Sequence, residues 1–155
     1  MISSYQDIYS RFLMKIKDYE FFNQSEAFAN ESMRGWLLAS LSKPYINRIF
    51  ASISADNETA ELEYTLSDSV SDFSDKNFVE ELLGYQILCE WLTPQVNTTT
   101  LLHQMVTNSK ESKFYSQQQH LQQMRELLTD SENKVRGMLR DKGYVYNSYL
   151  GNTNG

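Results

Sequence analysis

Between Phe78 and Leu92 the chain reads Phe-Val-Glu-Glu-Leu-Leu-Gly-Tyr-Gln-Ile-Leu-Cys-Glu-Trp-Leu. Placed at the helical ~100° per residue, Phe78, Val79, Leu82, Leu83, Ile87, Leu88, Cys89, Trp91 and Leu92 cover most of the circumference. A helix that is apolar nearly all round cannot rest on a surface, so other elements must cover it from several sides. The rest of the chain has the material to do so. It has 155 residues, 41% of them apolar and 13% aromatic, which favours one domain with a sizeable core.

The covering elements read mainly as helices. Ser4 can cap a first helix, with Asp7 in its first turn and Tyr5, Ile8, Tyr9, Phe12, Leu13 and Ile16 on one stripe. Residues 18–24 read as a connection in which Phe21 and Phe22 plug the core. Ser25 starts a second helix carrying Ala29, Met33, Trp36, Leu37 and Leu41, and Pro44 ends it. Residues 45–74 are open to two readings. Tyr45–Phe50 can continue as a short helix on Pro44; beyond it, the alternation Leu62, Tyr64, Leu66 with a turn at Asp56-Asn57 fits a β-hairpin, and the acidic composition equally fits a mobile loop.

Ser74–Asn77 is expected to cap the central helix and Thr93-Pro94 to stop it, with Asn97 or Thr98 starting a short fourth helix. After a polar break at 107–110, a last long element runs over about 115–141. Thr129 with Glu132 fits a capping box, so this element reads either as one helix or as two meeting near Asp130. The predicted fold class is therefore all-α: a five-helix, bundle-like single domain over 1–142, with an acidic loop or small hairpin about 45–74. An extended C-terminal tail, 143–155, follows Gly143.

Charge and motifs exclude several function classes. Nine acidic residues against Lys76 alone fall between Asp56 and Glu81, so that window carries −8 and the remainder +2 of the net −6. A chain without a dense basic run is a poor sequence-specific DNA binder. No apolar run approaches the ~18–20 residues of a membrane span. The opening Met1–Asp7 has neither a basic region nor an apolar one, which predicts no export by a standard signal. The single Cys89 cannot form an internal disulfide and suits a reducing compartment.

The chain holds no Gly-rich phosphate loop, no nucleophile elbow and no His-Glu-x-x-His, and no enzyme activity or cofactor is predicted. His103 and His120 stand seventeen residues apart without partners at metal spacing. Cys89 sits among Leu88, Trp91 and Leu92 beside Glu90, surroundings of buried filler rather than of an activated thiol. Glu80 and Glu81 are neighbours pointing about 100° apart, so they do not share a site; they are expected to decorate the first turn of the central helix. The candidate contact residues are Tyr144, Tyr146, Tyr149 and Leu150 in the tail. A Tyr-rich end reads either as a docking segment or as a frayed terminus.

Three segments carry a family resemblance. Asp7-Ile8-Tyr9-Ser10-Arg11-Phe12-Leu13-Met14-Lys15-Ile16 followed by Asp18-Tyr19, the block Glu90-Trp91-Leu92-Thr93-Pro94-Gln95-Val96-Asn97-Thr98-Thr99, and Phe114-Tyr115-Ser116-Gln117 leading to His120-Leu121 and Arg125-Glu126-Leu127 occur in that order. Together they resemble small neck proteins of tailed bacteriophages, the head–tail connectors, also called adaptor or head-completion proteins. The resemblance fades over 45–74 and in the tail.

It implies a helical virion protein made in the host cytoplasm. Such a protein would assemble as a ring, twelve-fold on the portal, between the portal protein and the next neck or tail-completion protein. DNA would pass through the channel without sequence-specific binding, and no membrane would be involved. The polar side of 115–141 and the segment 45–74 are candidate faces for that assembly. The alternative from another class is a small soluble phage protein that binds and regulates a host or phage factor.

Overall fold

The computed structural model describes residues 1–16, 23–105 and 111–144, with side chains for 1–16, 23–98 and 118–143. Along the chain these form β1 (Ile2–Ser4), α1 (Tyr5–Leu13), α2 (Glu26–Leu41), α3 (Pro44–Asn47), β2 (Phe50–Asp56), β3 (Glu61–Leu66), α4 (Asp72–Met105) and α5 (Glu111–Tyr144). The all-α expectation is thereby corrected. A three-stranded antiparallel sheet of order β1-β3-β2 accompanies five helices among the described residues.

Of the two readings of 45–74, the hairpin is the one present. In β3, Leu62, Tyr64 and Leu66 are buried and alternate with exposed Glu61, Glu63 and Thr65, the pattern of a half-buried strand. Asp56 makes the turn: its Oδ1 accepts the N–H groups of Glu58 at 2.8 Å and Thr59 at 3.2 Å. Those bonds hold the Asp56 carboxyl below its ordinary pKa. Ala60 closes the turn at φ 55°, where a side chain is uncommon, and its carbonyl accepts Tyr5 N–H at 2.9 Å. The third strand escaped periodicity because β1 is only three residues long; it pairs Ile2 with Glu63 and Ser4 with Glu61.

The helix starts at Ser4 and Ser25 are as predicted, each hydroxyl accepting from the N–H three residues on, at 3.1 Å and 3.3 Å. Lys43 is extended at φ −68° and ψ 126°, and Pro44 then begins the short α3.

One expected helix end is absent. Pro94 lies inside α4, which is continuous over 34 residues. Pro94 removes a bond to the Glu90 carbonyl and crowds it, at a cost of about 3 kcal/mol. Leu92 and Val96, on either side, are both buried, and continuing the helix preserves that packing. Thr93 Oγ1 and Gln95 Nε2 also donate to the carbonyls of Cys89 and Trp91, at 2.7 Å and 3.2 Å. Of the two readings of the last element, the single helix is the one present: α5 runs unbroken through Asp130, also over 34 residues. There Ser131 is buried with its hydroxyl bonded to the Leu127 carbonyl at 2.6 Å, and Glu132 pairs with Arg136 rather than capping. Phe21, Phe22 and the break at 107–110 lie outside the described residues.

α4 is covered by α1, α2, α5 and β1, which is why its sequence is apolar all round. Phe12 stands edge-on between Trp36 and Trp91, with ring centroids 5.9 Å and 6.0 Å away. Just beside it, α1 crosses α4 at Gly84. A Cβ on Gly84 would stand 2.7 Å from Arg11 Cβ and 3.2 Å from the Arg11 carbonyl carbon and Phe12 N. Gly84→Ala is therefore expected to force α1 off the core and destabilise the protein by about 1–3 kcal/mol. Urea denaturation measures this, and an unchanged or higher midpoint would contradict the close crossing.

Candidate functional site

Two buried carboxylates of α4 organise the polar interior. Glu80 is 5% exposed. It accepts a hydrogen bond from Ser3 Oγ at 3.0 Å and stands 3.6 Å from Arg11 and 3.7 Å from Lys76. Ser3 Oγ also lies 3.1 Å from the Tyr64 hydroxyl, so β1, β3 and α4 meet at one hydroxyl. Burial, opposed by the Ser3 bond, raises the Tyr64 pKa, and the charges of Glu80 and Asp75 add to the rise. Glu81, pointing elsewhere, pairs with Lys15 at 2.9 Å. The expectation that Glu80-Glu81 decorates the first turn is corrected: α4 begins at Asp72, where Ser71 Oγ accepts from Ser74 N–H at 3.3 Å. That serine also replaces the cap expected at 74–77.

Asp75 is the second carboxylate and is fully buried. It accepts from Ser69 Oγ at 2.7 Å, from Val70 N–H at 2.9 Å and from Lys142 Nζ, which comes from the far end of α5. Burial by itself would raise its pKa. The Lys142, Ser69 and Val70 bonds outweigh that and hold it below the ordinary carboxylate value. Both networks are closed: no described buried side-chain polar atom lacks a hydrogen-bond partner. They tie β1, β3, α1, α4 and α5 together.

Clefts open elsewhere: one of about 590 Å³ lies between α1, α2 and the hairpin turn, and another lies on the other flank of α4. The second, of about 570 Å³, opens between the α2–α3 corner, α4 and α5. Its rim is charge-paired. Lys43 meets Glu90 at 3.0 Å, Gln86 donates to Glu90 at 3.1 Å, Tyr45 donates to Gln86 at 3.3 Å, and Glu132 pairs with Arg136 at 3.7 Å across the way. The bond to Glu90 raises the Lys43 pKa against the opposing effect of burial. Cys89 lines the wall but is only 5% exposed. Burial, followed by the charges of Glu132 and Glu90, pushes its thiol up to about 12. A thiol so placed stays protonated at neutral pH and is no nucleophile.

Of the candidate contact residues, Tyr144 is the final residue of α5, and its side chain lies outside the described part of the structure, as do Tyr146, Tyr149 and Leu150 altogether. His120 is exposed on α5, and the His103 side chain is not among those described. The acidic window 56–81 is dispersed over the hairpin, the connection 67–71 and the start of α4 rather than forming one loop. Among the described residues, no group of three His, Cys, Asp or Glu could hold a metal, and no helix is long and apolar enough to cross a membrane. No known protein family, curated protein or solved structure gives a match to this chain.

Two outcomes follow from these environments. Because the folded Asp75 pKa is depressed, its contribution is present above the unfolded value of ~3.9 and is lost as pH falls through the folded value. Asp75→Asn should cost about 3 kcal/mol at neutral pH, with the gap from the wild type closing below about pH 4. Urea titrations at several pH values measure both, and a gap independent of pH would contradict the tie. Cys89 in the folded protein should react with a thiol reagent at least ~10-fold more slowly than free cysteine, whose pKa is near ~8.5, and should reach the free rate in denaturant. Equal rates without denaturant would place the thiol in solvent.

Proposed function

We propose that this chain is a structural component of a phage virion, a head–tail connector that forms a ring under the portal, extends the DNA channel and joins head to tail. The observation that carries this reading is the antiparallel pair α4–α5. Each helix has 34 residues, about 51 Å at 1.5 Å per residue, in a chain of 155. Lys142 at the end of α5 meets Asp75 at the start of α4, so the pair is clasped at the body. On α4 the main core ends at Leu92, and on α5 its earliest contributor is Leu128. Beyond these, Val96 and Leu121 are buried outside that core, and the two helices continue as an arm. On the described part of that arm Pro94, Asn97, Gln122, Gln123 and Glu126 are exposed, a flank suited to neighbouring subunits.

The family resemblance supports the same reading. Phe12 and Trp91 belong to two of the resembling segments and pack against each other, so those segments build the scaffold. The hairpin and the tail, where the resemblance fades, are left for partner contacts. A closed ring needs two unlike faces on every subunit, and the arm and the sheet-bearing body are unlike. The surplus of acidic charge on the hairpin suits a channel that DNA must pass without sticking.

Mass spectrometry of purified virions from the phage that encodes the chain should detect it in ring-like amount. Electron micrographs of the protein mixed with its portal should show rings. Deleting residues 143–155 should leave helical content intact and abolish association with the portal. Absence from particles, with the protein free in infected cells, would favour a soluble regulator instead.

A further inference from the structure

The outer edge of β2 is an open hydrogen-bonding template, and the direction of its groups can be worked out. Tyr64 N–H donates to the Met1 carbonyl at 2.9 Å, and the Tyr64 carbonyl accepts from the Met1 amino group at 2.8 Å. Both main-chain groups of Tyr64 therefore face β1. Tyr64 lies opposite Ile53 in the β2–β3 ladder, so this is a pair that exchanges no bonds. Ile53 consequently turns its own N–H and C=O away from β3, toward the free edge. By alternation Ala55, opposite Leu62, does the same, whereas Ser52 and Ser54 bond inward.

Among the described residues no strand pairs with this edge, and β2 itself holds no Lys or Pro. Proteins usually block such strands with Lys, Pro or a central bulge. β2 reads Phe-Ala-Ser-Ile-Ser-Ala-Asp, is exposed from Ser54 to Asp56, and has its one register shift near the Phe50 end. Its termini carry opposite charge. Arg48 precedes the strand, exposed and without an ion pair among the described residues; Asp56 and Glu58, both exposed, follow at the other end.

We propose that β2 pairs antiparallel with β2 of a second copy of this chain, centred on Ile53, so that the two sheets become one. That register sets the outward groups of each Ile53 against those of the other and places Ala55 opposite the Phe50–Ser52 segment. The two Ile53 side chains, each on the core-facing side of its sheet, come side by side. It also brings Arg48 of each copy to the acidic Asp56–Glu58 end of its partner, whereas a parallel pairing would set like charge on like. An edge of Ala and Ser offers no pocket to select a foreign sequence. Basic at one end and acidic at the other, it is complementary to itself, the requirement for a two-fold contact. This dimer goes beyond the connector reading and does not rest on it, because strand pairing at this edge requires only a second copy and no portal.

Sedimentation of the full chain over a concentration series tests the pairing. The wild type should dimerise and dissociate on dilution. Ala55→Pro removes an outward N–H and leaves the β2–β3 ladder intact, so it should weaken the dimer about tenfold or more with an unchanged circular dichroism spectrum. Arg48→Glu should weaken it independently of strand chemistry, and adding Glu58→Arg should restore it. A wild type that stays monomeric throughout overturns the proposal. So does a dimer indifferent to both Ala55→Pro and the charge swap, or one that is lost on deleting 143–155, since the tail would then be the occupant. Presence in virions is read separately and decides only the connector role.

Discussion

The fold depends on covering α4 from every side. A helix with Val79, Leu82, Leu83, Ile87, Leu88 and Leu92 distributed around it gains only if α1, α2, α5 and the sheet all arrive. Each fully buried side chain of this kind contributes roughly 1.5–3 kcal/mol. Gly84 lets α1 cross closely, and Phe12 then fills the space between Trp36 and Trp91. The buried carboxylates serve the same end by fixing how the covering elements sit. Glu80 holds β1 through Ser3 and α1 through Arg11, and Asp75 holds the last helix through Lys142.

Local signals in the sequence were legible wherever one residue's preference decided the outcome. Ser4 and Ser25 cap helices because an isolated hydroxyl before an apolar stripe has one good use. The alternation in β3 is readable because one face of the strand is buried. Tertiary packing overrode local preference at Pro94, where burial of Leu92 and Val96 keeps α4 running through its apparent stop; at Thr129, where one helix and two were both open, burial of Ser131 and Val135 goes with the single helix. β1 left no pattern to read, since three residues cannot show a period and its order comes from pairing with residues some sixty positions on.

The polar interior was illegible for a related reason. Ser3, Asp75 and Lys142 look like ordinary surface residues in the sequence and Tyr64 like one member of an apolar alternation, and only chain topology makes them partners. Glu80 and Glu81 were seen, with their divergence, but not which of them turns inward. The cleft beside Cys89 is similar. Glu90 was visible as a neighbour of the thiol, and Gln86 stands one turn before it, while Lys43 and Glu132 arrive from afar. What remains outside the interior is a two-helix arm and a bare strand edge, and the proposals about assembly draw on those two surfaces.

The clasp between Lys142 and Asp75 has a bearing on how the chain acquires its structure. Ser3 reaches across 77 residues to Glu80, and Lys142 reaches back across 67 to Asp75. Contacts so distant in sequence close late, because loop entropy must be overcome before they reward the chain. During synthesis, β1 must wait for β3 and the start of α4, and Asp75 must wait for nearly all of α5. Until then Asp75 stands without its cation and one flank of α4 is bare. The hazard of premature association is therefore concentrated in the interval between translation of α4 and completion of α5.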